Sequence, residues 1–293
     1  MDVVSAGGAD PIRRVSVLST GSVRIRPEHI ETNGTPMLWW LLTERRWTEP
    51  VPINVYVIEH ERGLVIVDSG QDRASVTDPR SYFPRGLLGW AYRRLARFDI
   101  PESESLAAGL AGLGYSAGAV THAVLTHLHQ DHMGGLPELG AAEILISQAE
   151  WEAMQRPGAV ADGYLRRHIE LPGLTWNRLT FTPTVDASLA PFDHAYDLFG
   201  DGSIVVLPTP GHSPGSISVL VRRVGRAPLL FVGDLTFDAS LMADERVPGV
   251  GSHADLRAST RRVNALRAIH PELVVLAAHD RAAAGMLASA EAR

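Results

Sequence analysis

Residues 126–135 have the sequence THLHQDHMGG, and they directly follow the apolar run Ala123–Leu125. In an extended chain His127 and His129 point to the same side, because side chains alternate with a period of two. Asp131 and His132 come next, where the glycines that follow permit a tight turn. Two imidazoles can therefore meet one cation while the next two side chains meet a second. The stretch predicts a metal site at the end of a strand.

Three further His or Asp residues each follow a strand-like apolar run within a few residues. They are His212 after Ile204–Leu207, Asp234 after Leu229–Val232 and His279 after Leu273–Leu276. Because sites in α/β proteins form where strand ends open into loops, we expect these side chains to converge at one sheet edge. Nitrogen and oxygen ligands of this kind suit zinc, and also manganese, iron or cobalt.

The remaining histidines lack this context, and structural or solvated roles are expected for them. They are His29, His60, His122, His168, His194, His253 and His270. Solvated faces are expected for the arginine pairs Arg45-Arg46, Arg93-Arg94, Arg166-Arg167, Arg222-Arg223 and Arg261-Arg262.

The composition excludes several kinds of chemistry. All 27 basic residues are arginine and cysteine is absent, which rules out a lysine Schiff base, a thiolate nucleophile and sulfur ligands. The net charge of -6 argues against a nucleic-acid partner. No apolar run approaches the ~20 residues of a membrane span, and residues 1–11 lack the features of a signal peptide. We therefore predict a cytoplasmic protein with no membrane partner.

Short apolar runs bounded by Gly, Pro and Asn indicate strands along the chain. Besides the runs above, they are Val15–Leu18, Val23–Ile25, Ile53–Ile58, Leu64–Val67, Glu143–Ile146 and Ile217–Val221. Helices are predicted at Ser103–Leu113, with Ser103 as N-cap, and at Leu256–Ile269. The mixture predicts an α/β fold with two mixed sheets. We expect one domain over residues 15–293, after a flexible leader over residues 1–14.

The motif H-x-H-x-D-H at residues 127–132 resembles the signature of the metallo-β-lactamase superfamily, and the similarity extends from about Ile53 to His279. The resemblance implies an αββα sandwich with two metal ions at one edge. We expect these ions to be zinc, with manganese, iron and cobalt as the alternatives. The resemblance also implies a first ion held by His127, His129 and His212, a second held by Asp131, His132 and His279, and Asp234 bridging the two. Asp68 matches the family's buried aspartate that orients the site.

Within that superfamily the chain is most similar to the N-acyl-homoserine lactone lactonases, which degrade quorum-sensing signals. The similar segments are Gly233–Phe237, Val247–Gly251 and Ala278–Asp280. The resemblance implies that a metal-bridging hydroxide opens the lactone ring, with Asp131 passing the proton to the leaving group. One position departs from the pattern: those lactonases have a tyrosine three residues after the bridging aspartate, where this chain has Phe237.

Several alternatives stay open. The substrate is a small-molecule lactone or another ester, thioester or phosphodiester, and a metal-binding but catalytically idle regulator is the alternative from another class. The aromatic and arginine-rich segment Tyr82–Phe98 forms either a core-packed helix or homodimer contact, or a wall or lid for an acyl chain. The same choice applies to Met37–Leu42.

Overall fold

The computed structural model describes residues 10–292, and in them thirteen strands and eleven α-helices alternate along the chain. The strands are β1 (Ile12–Ile25), β2 (Val51–His60), β3 (Gly63–Val67), β4 (Ala96–Asp99), β5 (Val120–Val124), β6 (Glu143–Ser147), β7 (Thr175–Leu179), β8 (Thr182–Pro183), β9 (His194–Asp197), β10 (Ile204–Pro208), β11 (Ile217–Val221), β12 (Leu229–Phe231) and β13 (Val274–Leu276). The helices are α1 (Pro27–Ile30), α2 (Met37–Thr43), α3 (Ala74–Thr77), α4 (Pro79–Tyr82), α5 (Gly86–Leu95), α6 (Leu106–Gly112), α7 (Gln130–Met133), α8 (Gln148–Gln155), α9 (Arg166–Ile169), α10 (His253–Ile269) and α11 (Ala283–Glu291).

These strands form two mixed sheets. The first has the order β4-β1-β2-β3-β5-β6-β7, with β3, β5, β6 and β7 parallel to one another. The second has the order β13-β12-β11-β10-β9-β8, in which β12 and β13 are parallel. The parallel strands β3, β6, β12 and β13 are nearly continuous apolar runs, as expected where both faces of a sheet are covered, whereas the edge strand β7 is polar.

The two sheets pack face to face through one layer of apolar side chains. Val67 and Val124 of the first sheet lie in the same buried cluster as Val219 and Phe231 of the second. On its outer face the first sheet packs against helices that include α6 and α8, and the second packs against α10. The predicted αββα sandwich is confirmed.

The boundaries of two predicted elements are wrong. Strand β1 begins at Ile12, so residues 12–14 belong to the sheet and not to a leader, while residues 1–9 lie outside the described part of the chain. The helix expected from Ser103 begins at Leu106, because the hydroxyl of Ser105 accepts the hydrogen bond from the backbone N–H of Ala108. Within residues 10–292 no helix has the length and apolar character that crossing a membrane requires.

Candidate metal centre

The residues predicted as metal ligands come together at one edge of the sandwich. His127 follows β5, His212 follows β10, Asp234 follows β12 and His279 follows β13, while His129, Asp131 and His132 lie in the loop and short helix α7 after β5. Two of the parallel strand pairs, β3 with β5 and β12 with β13, end at this edge. The topology therefore gathers residues that are up to about half the chain apart in sequence.

Their nitrogen and oxygen atoms form three overlapping groups, each with its ligand atoms within 4.8 Å of one another. The groups are His127 with His129 and His212, His127 with His132 and Asp234, and Asp131 with His132 and His279. The Oδ2 of Asp234 lies 3.4 Å from the Nε2 of His212, and its Oδ1 lies 3.3 Å from the Nε2 of His132 and 3.4 Å from that of His279. One carboxylate thus faces imidazoles of both predicted ligand sets.

Contacts on the outer side of the imidazole rings determine which nitrogen faces the centre. The Nε2 of His129 lies 2.9 Å from the carbonyl oxygen of Asp162, and the Nδ1 of His279 lies 2.8 Å from that of Pro52. A carbonyl only accepts, so each of these nitrogens carries a proton and donates it. The other nitrogen of each ring is left with a free lone pair that faces the cluster, as in metal-bound histidines.

His132 is oriented by a carboxylate. Asp68 follows β3 in the left-handed region (φ 61°), and its Oδ2 lies 2.8 Å from the Nδ1 of His132. Its Oδ1 accepts the backbone N–H of Thr126 at 2.7 Å, next to the first histidine of the motif. The left-handed conformation strains a residue other than glycine. Here this conformation places one carboxylate in contact with two segments of the site.

The buried polar atoms at the centre fit a divalent cation. Within the described residues, the Nε2 atoms of His127 and His132 and the Oδ1 of Asp234 are buried without a hydrogen-bond partner. Buried polar atoms are nearly always partnered, because desolvation without a partner is costly. Imidazole nitrogens and carboxylate oxygens that converge in this way form the donor set of a zinc site. We therefore find that these residues fit the metal that the sequence predicts.

The electrostatics of the cluster favour the same occupant. Burial and the neighbouring imidazoles hold the pKa of His127 well below its usual value, and burial lowers the pKa of His212 to about 3. Both rings are thus neutral at neutral pH, which metal binding requires. Burial opposes the ionisation of Asp234, but the imidazoles of His132 and His279 outweigh it and lower the pKa of its carboxyl group. The centre therefore combines the neutral imidazoles of His127 and His212 with an ionised carboxylate, while Asp234 and Asp68 together outweigh burial and raise the pKa of His132 well above its usual value.

A buried glutamate that the sequence analysis did not single out connects two of the ligand loops. The Oε1 of Glu150 accepts the backbone N–H of Leu128 at 3.0 Å, between the first two histidines of the motif. Its Oε2 accepts the hydroxyl of Ser213 at 2.6 Å and the N–H of Gly215 at 3.0 Å, just after His212. The local pattern Ser147-x-x-Glu150 is typical of a helix start, where the glutamate bonds locally. The sequence alone thus gives no sign of these distant partners.

We expect Glu150→Gln to weaken metal retention. The amide nitrogen of glutamine can only donate, so the backbone N–H of Leu128 or that of Gly215 loses its acceptor. Loss of a contact that supports metal ligands typically lowers metal affinity by about 10–100-fold. Competition with a chromogenic chelator measures this, with Glu152→Gln on the exposed side of the same helix as the matched control. Equal metal affinity in both variants would contradict this role.

A cavity of about 480 Å³ opens beside the cluster. Its apolar wall includes Leu88, Tyr92 and Leu95 of α5 and Met37 of α2, and its polar end includes Asp131 and Asp234. Of the two alternatives for Tyr82–Phe98, the geometry thus favours a cavity wall built by a helix. His29, for which a structural or solvated role was expected, also lies in this wall, and burial lowers its pKa to about 4.

Phe237 lies where the lactonase pattern has a tyrosine. Its ring stacks on the imidazole of His279, with ring centroids 5.1 Å apart and planes at 13°. It is buried and lines the cavity. The structure therefore places an apolar ring, with no hydrogen-bond donor, directly beside a candidate ligand.

Comparison with known proteins agrees with this geometry. The family model of the Metallo-beta-lactamase superfamily matches residues 48–279. The N-acyl homoserine lactonase AttM of Rhizobium johnstonii is 30% identical over 80% of this chain and 83% of its own length, and AttM of Azorhizobium caulinodans is 28% identical over 86% and 88%.

Among solved structures, an N-acyl homoserine lactone hydrolase with the product N-hexanoyl-L-homoserine at its catalytic metal centre has a similar fold, with a TM-score of 0.72 at 19% identity over 94% of this chain and 95% of the other. The dizinc quorum-quenching lactonase AidC has a TM-score of 0.60 at 16% identity over 93% and 91%. The predicted resemblance is confirmed. Because the family match spans most of the sequence and all seven predicted ligand positions, this chain belongs to the metallo-beta-lactamase superfamily.

Proposed function

We propose that the chain is a hydrolase with two divalent metal ions that opens lactone rings, with N-acyl-homoserine lactones as its substrates. The observation that carries the proposal is a pair of ligand groups joined by Asp234 at the polar end of an apolar cavity. His127, His129 and His212 would hold the first ion, and Asp131, His132 and His279 the second. The similarity to proteins named as lactonases supports the same activity.

Ions in such a site polarise a carbonyl group and lower the pKa of water toward neutrality. The protein's own contribution begins with Asp131, whose side chain is 17% exposed, compared with 5% for Asp234. Because Asp131 lines the cavity and is the more accessible carboxylate, we assign it the proton transfer to the leaving alkoxide. A backbone carbonyl fixes the orientation of each of the rings of His129 and His279. These two ligands therefore keep their positions while the substrate reacts.

The cavity favours an acylated lactone over a phosphodiester. Leu88, Leu95 and Phe98 form an apolar surface next to the polar end, as an acyl chain attached to a polar ring requires. Among the described residues Arg156 is the one arginine in the wall, so the two metal ions would have to supply nearly all of the positive charge that an anionic phosphodiester needs. Other esters and thioesters fit the same cavity and form the second candidate class.

The test is a hydrolysis screen over acyl-homoserine lactones of increasing chain length, with an aryl ester, a thioester and a phosphodiester alongside and metal content measured in parallel. We expect kcat/KM to rise with chain length until the cavity is filled, because each buried methylene contributes about 0.8 kcal/mol. If the metal-loaded protein hydrolyses the ester or the thioester but no lactone, the lactonase proposal is wrong and the substrate belongs to the ester and thioester class.

Phe237→Tyr tests the substrate assignment at a single atom. We expect this variant to keep or raise activity on acyl-homoserine lactones, because a phenol beside His279 can donate to the substrate carbonyl. A well-placed donor to an oxyanion contributes up to ~3–4 kcal/mol, and a grafted one less. Steady-state kinetics on one lactone measure the effect, and Phe98→Tyr, elsewhere in the cavity wall, is the control. A large loss of native activity would indicate that Phe237 packs against a different substrate, because the added hydroxyl is then buried without a partner.

Zinc as the native metal, the cytoplasm as the location and a homodimer as the assembly state remain predictions. Metal analysis of the purified protein, fractionation of the host cell and light scattering test them in turn.

A further inference from the structure

Helices α2 and α5 expose large apolar side chains, and we call these side chains the α2–α5 rim. They are Leu38 (66% exposed), Trp39 (63%), Leu42 (56%), Leu87 (86%) and Trp90 (43%). Large exposed apolar patches on a folded chain usually mark a surface that binds a partner. The rim therefore calls for a specific occupant.

The two helices form one unit at the mouth of the candidate active site. The Nε of Arg94, on α5, donates to the carbonyl of Leu41 at 3.1 Å, and its Nη2 donates to that of Glu44 at 2.7 Å, at the end of α2. Met37 of α2 and Leu88 of α5 both line the catalytic cavity. Whatever covers the rim therefore lies against the entrance of that cavity.

The charge beside α5 is positive, whereas α2 is followed by both signs: Glu44 pairs with Arg46, and Glu49 is exposed. Between Pro79 and Arg97 the chain has five arginines and no acidic residue, although its net charge is -6. Arg80, Arg85, Arg93 and Arg97 are exposed, and none of the four forms an ion pair within residues 10–292. Arginines elsewhere on the surface do pair with acids, as Arg166 does with Glu170. The positive charge at the rim is thus available to an outside partner.

A buried arginine adds to this charge. Arg26 is fully buried, and it donates to the carbonyls of Arg94 and Arg46 while its guanidinium lies 3.6 Å from the ring centre of Trp47. Its Nη2 has no hydrogen-bond partner in the described residues. Burial, with the charges of Arg94 and Arg97, lowers the pKa of Arg26. Beneath the rim, the charge of Arg26 is accompanied by the carboxylates of Glu44 and Glu28, which oppose the lowering of its pKa.

A second copy of the chain is a poor occupant. In a twofold dimer both copies contribute the same patch, so the positive charges beside α5 of the two copies would add up within one interface. An anionic lipid surface complements both properties: Trp and Leu side chains enter the boundary between headgroups and acyl chains, and arginines bind the phosphates. Tryptophan and arginine are the residues typical of such boundaries.

We propose that the α2–α5 rim docks on an anionic lipid surface, so that the mouth of the catalytic cavity faces the membrane. The prediction of no membrane partner rested on the absence of an apolar segment long enough to span a membrane. A peripheral contact with the lipid surface does not require such a segment. The inference goes beyond the proposed function, because docking depends only on the rim and not on turnover.

The experiment is co-sedimentation of the metal-loaded chain with vesicles of phosphatidylcholine, with and without phosphatidylglycerol, at low and high salt. We expect binding to the anionic vesicles alone, weakened by salt. Arg85→Gln should weaken binding about fivefold, the contribution of one arginine near an anionic surface, and Trp39→Ser with Leu87→Ser should weaken it further. Arg257→Gln and Val185→Ser, exposed positions away from the rim, are the matched controls.

Two results would overturn the proposal. One is the absence of rim-dependent binding: the chain does not co-sediment with the vesicles, or the rim variants and the control variants change its binding by the same factor. The other is a wild-type dimer in light scattering that Trp39→Ser with Leu87→Ser converts to a monomer, which would assign the rim to self-association. Neither readout involves hydrolysis, so failure of the lactonase proposal is recorded separately in the substrate screen.

Discussion

Asp234→Asn is expected to lower metal content and hydrolysis together. The two oxygens of Asp234 face different ligand groups, Oδ2 toward His212 and Oδ1 toward His132 and His279. A neutral amide removes a full negative charge from between the two cation sites and offers an N–H group to one of them. Because loss of an outer supporting contact already lowers metal affinity or activity by about 10–100-fold, loss of a shared ligand should exceed that range.

Elemental analysis and steady-state kinetics on the same preparation measure both quantities. Asp244→Asn is the matched control, since it removes the same charge from an exposed position ten residues further along the chain. Normal metal content with normal turnover in Asp234→Asn would show that Asp234 is an ordinary loop residue and would remove the bridge from the proposal.

Removing two imidazoles from one group should separate the two ions. We expect His127→Ala with His129→Ala to reduce the metal content from about two ions per chain to about one, because the first group keeps only His212 and the shared aspartate and a structural zinc site needs about four ligands. Hydrolysis should fall by at least as much as in Asp234→Asn. Elemental analysis and activity are again the measurements.

His127 is fully buried, so its replacement can affect folding as well. The single variant His129→Ala, at a partly exposed position, tests the ligand role without that complication. His194→Ala removes an exposed histidine that does not line the cavity and serves as the control. Two ions per chain in both the double and the single variant would contradict the first ligand set.

The sequence predicts the centre better than its surroundings, and the reason is physical. Each candidate ligand follows a strand-like apolar run, and strands of this kind end at one edge in a layered α/β fold. The two runs predicted near the N-terminus are one strand, β1, whose pairing is irregular between Ser19 and Ser22 around the left-handed Gly21. Gly21 separates the two runs in the sequence, but in the structure it only interrupts the regular pairing of a single strand.

Other features depend on contacts that no local pattern records. Strand β7 is polar and half exposed, so it lacks the apolar run that indicates a strand. The partners of Glu150 lie 22, 63 and 65 residues away, and its nearest sequence pattern indicates a helix start. The exposure of α2 and α5 also depends on packing, because their apolar sequence equally suits a buried helix.

The ligands of the centre come from both sheets, and this links metal binding to folding stability. His127 follows a strand of the first sheet, whereas Asp234 and His279 follow strands of the second. An unfolded chain does not hold these groups together, so bound ions stabilise the native state by an amount that grows with the free metal concentration, about 4 kcal/mol at 1,000 times the dissociation constant. The ions would then act as cross-links between the two halves of the sandwich, and a metal-starved cell would contain a chain that unfolds more readily as well as one that does not turn over substrate.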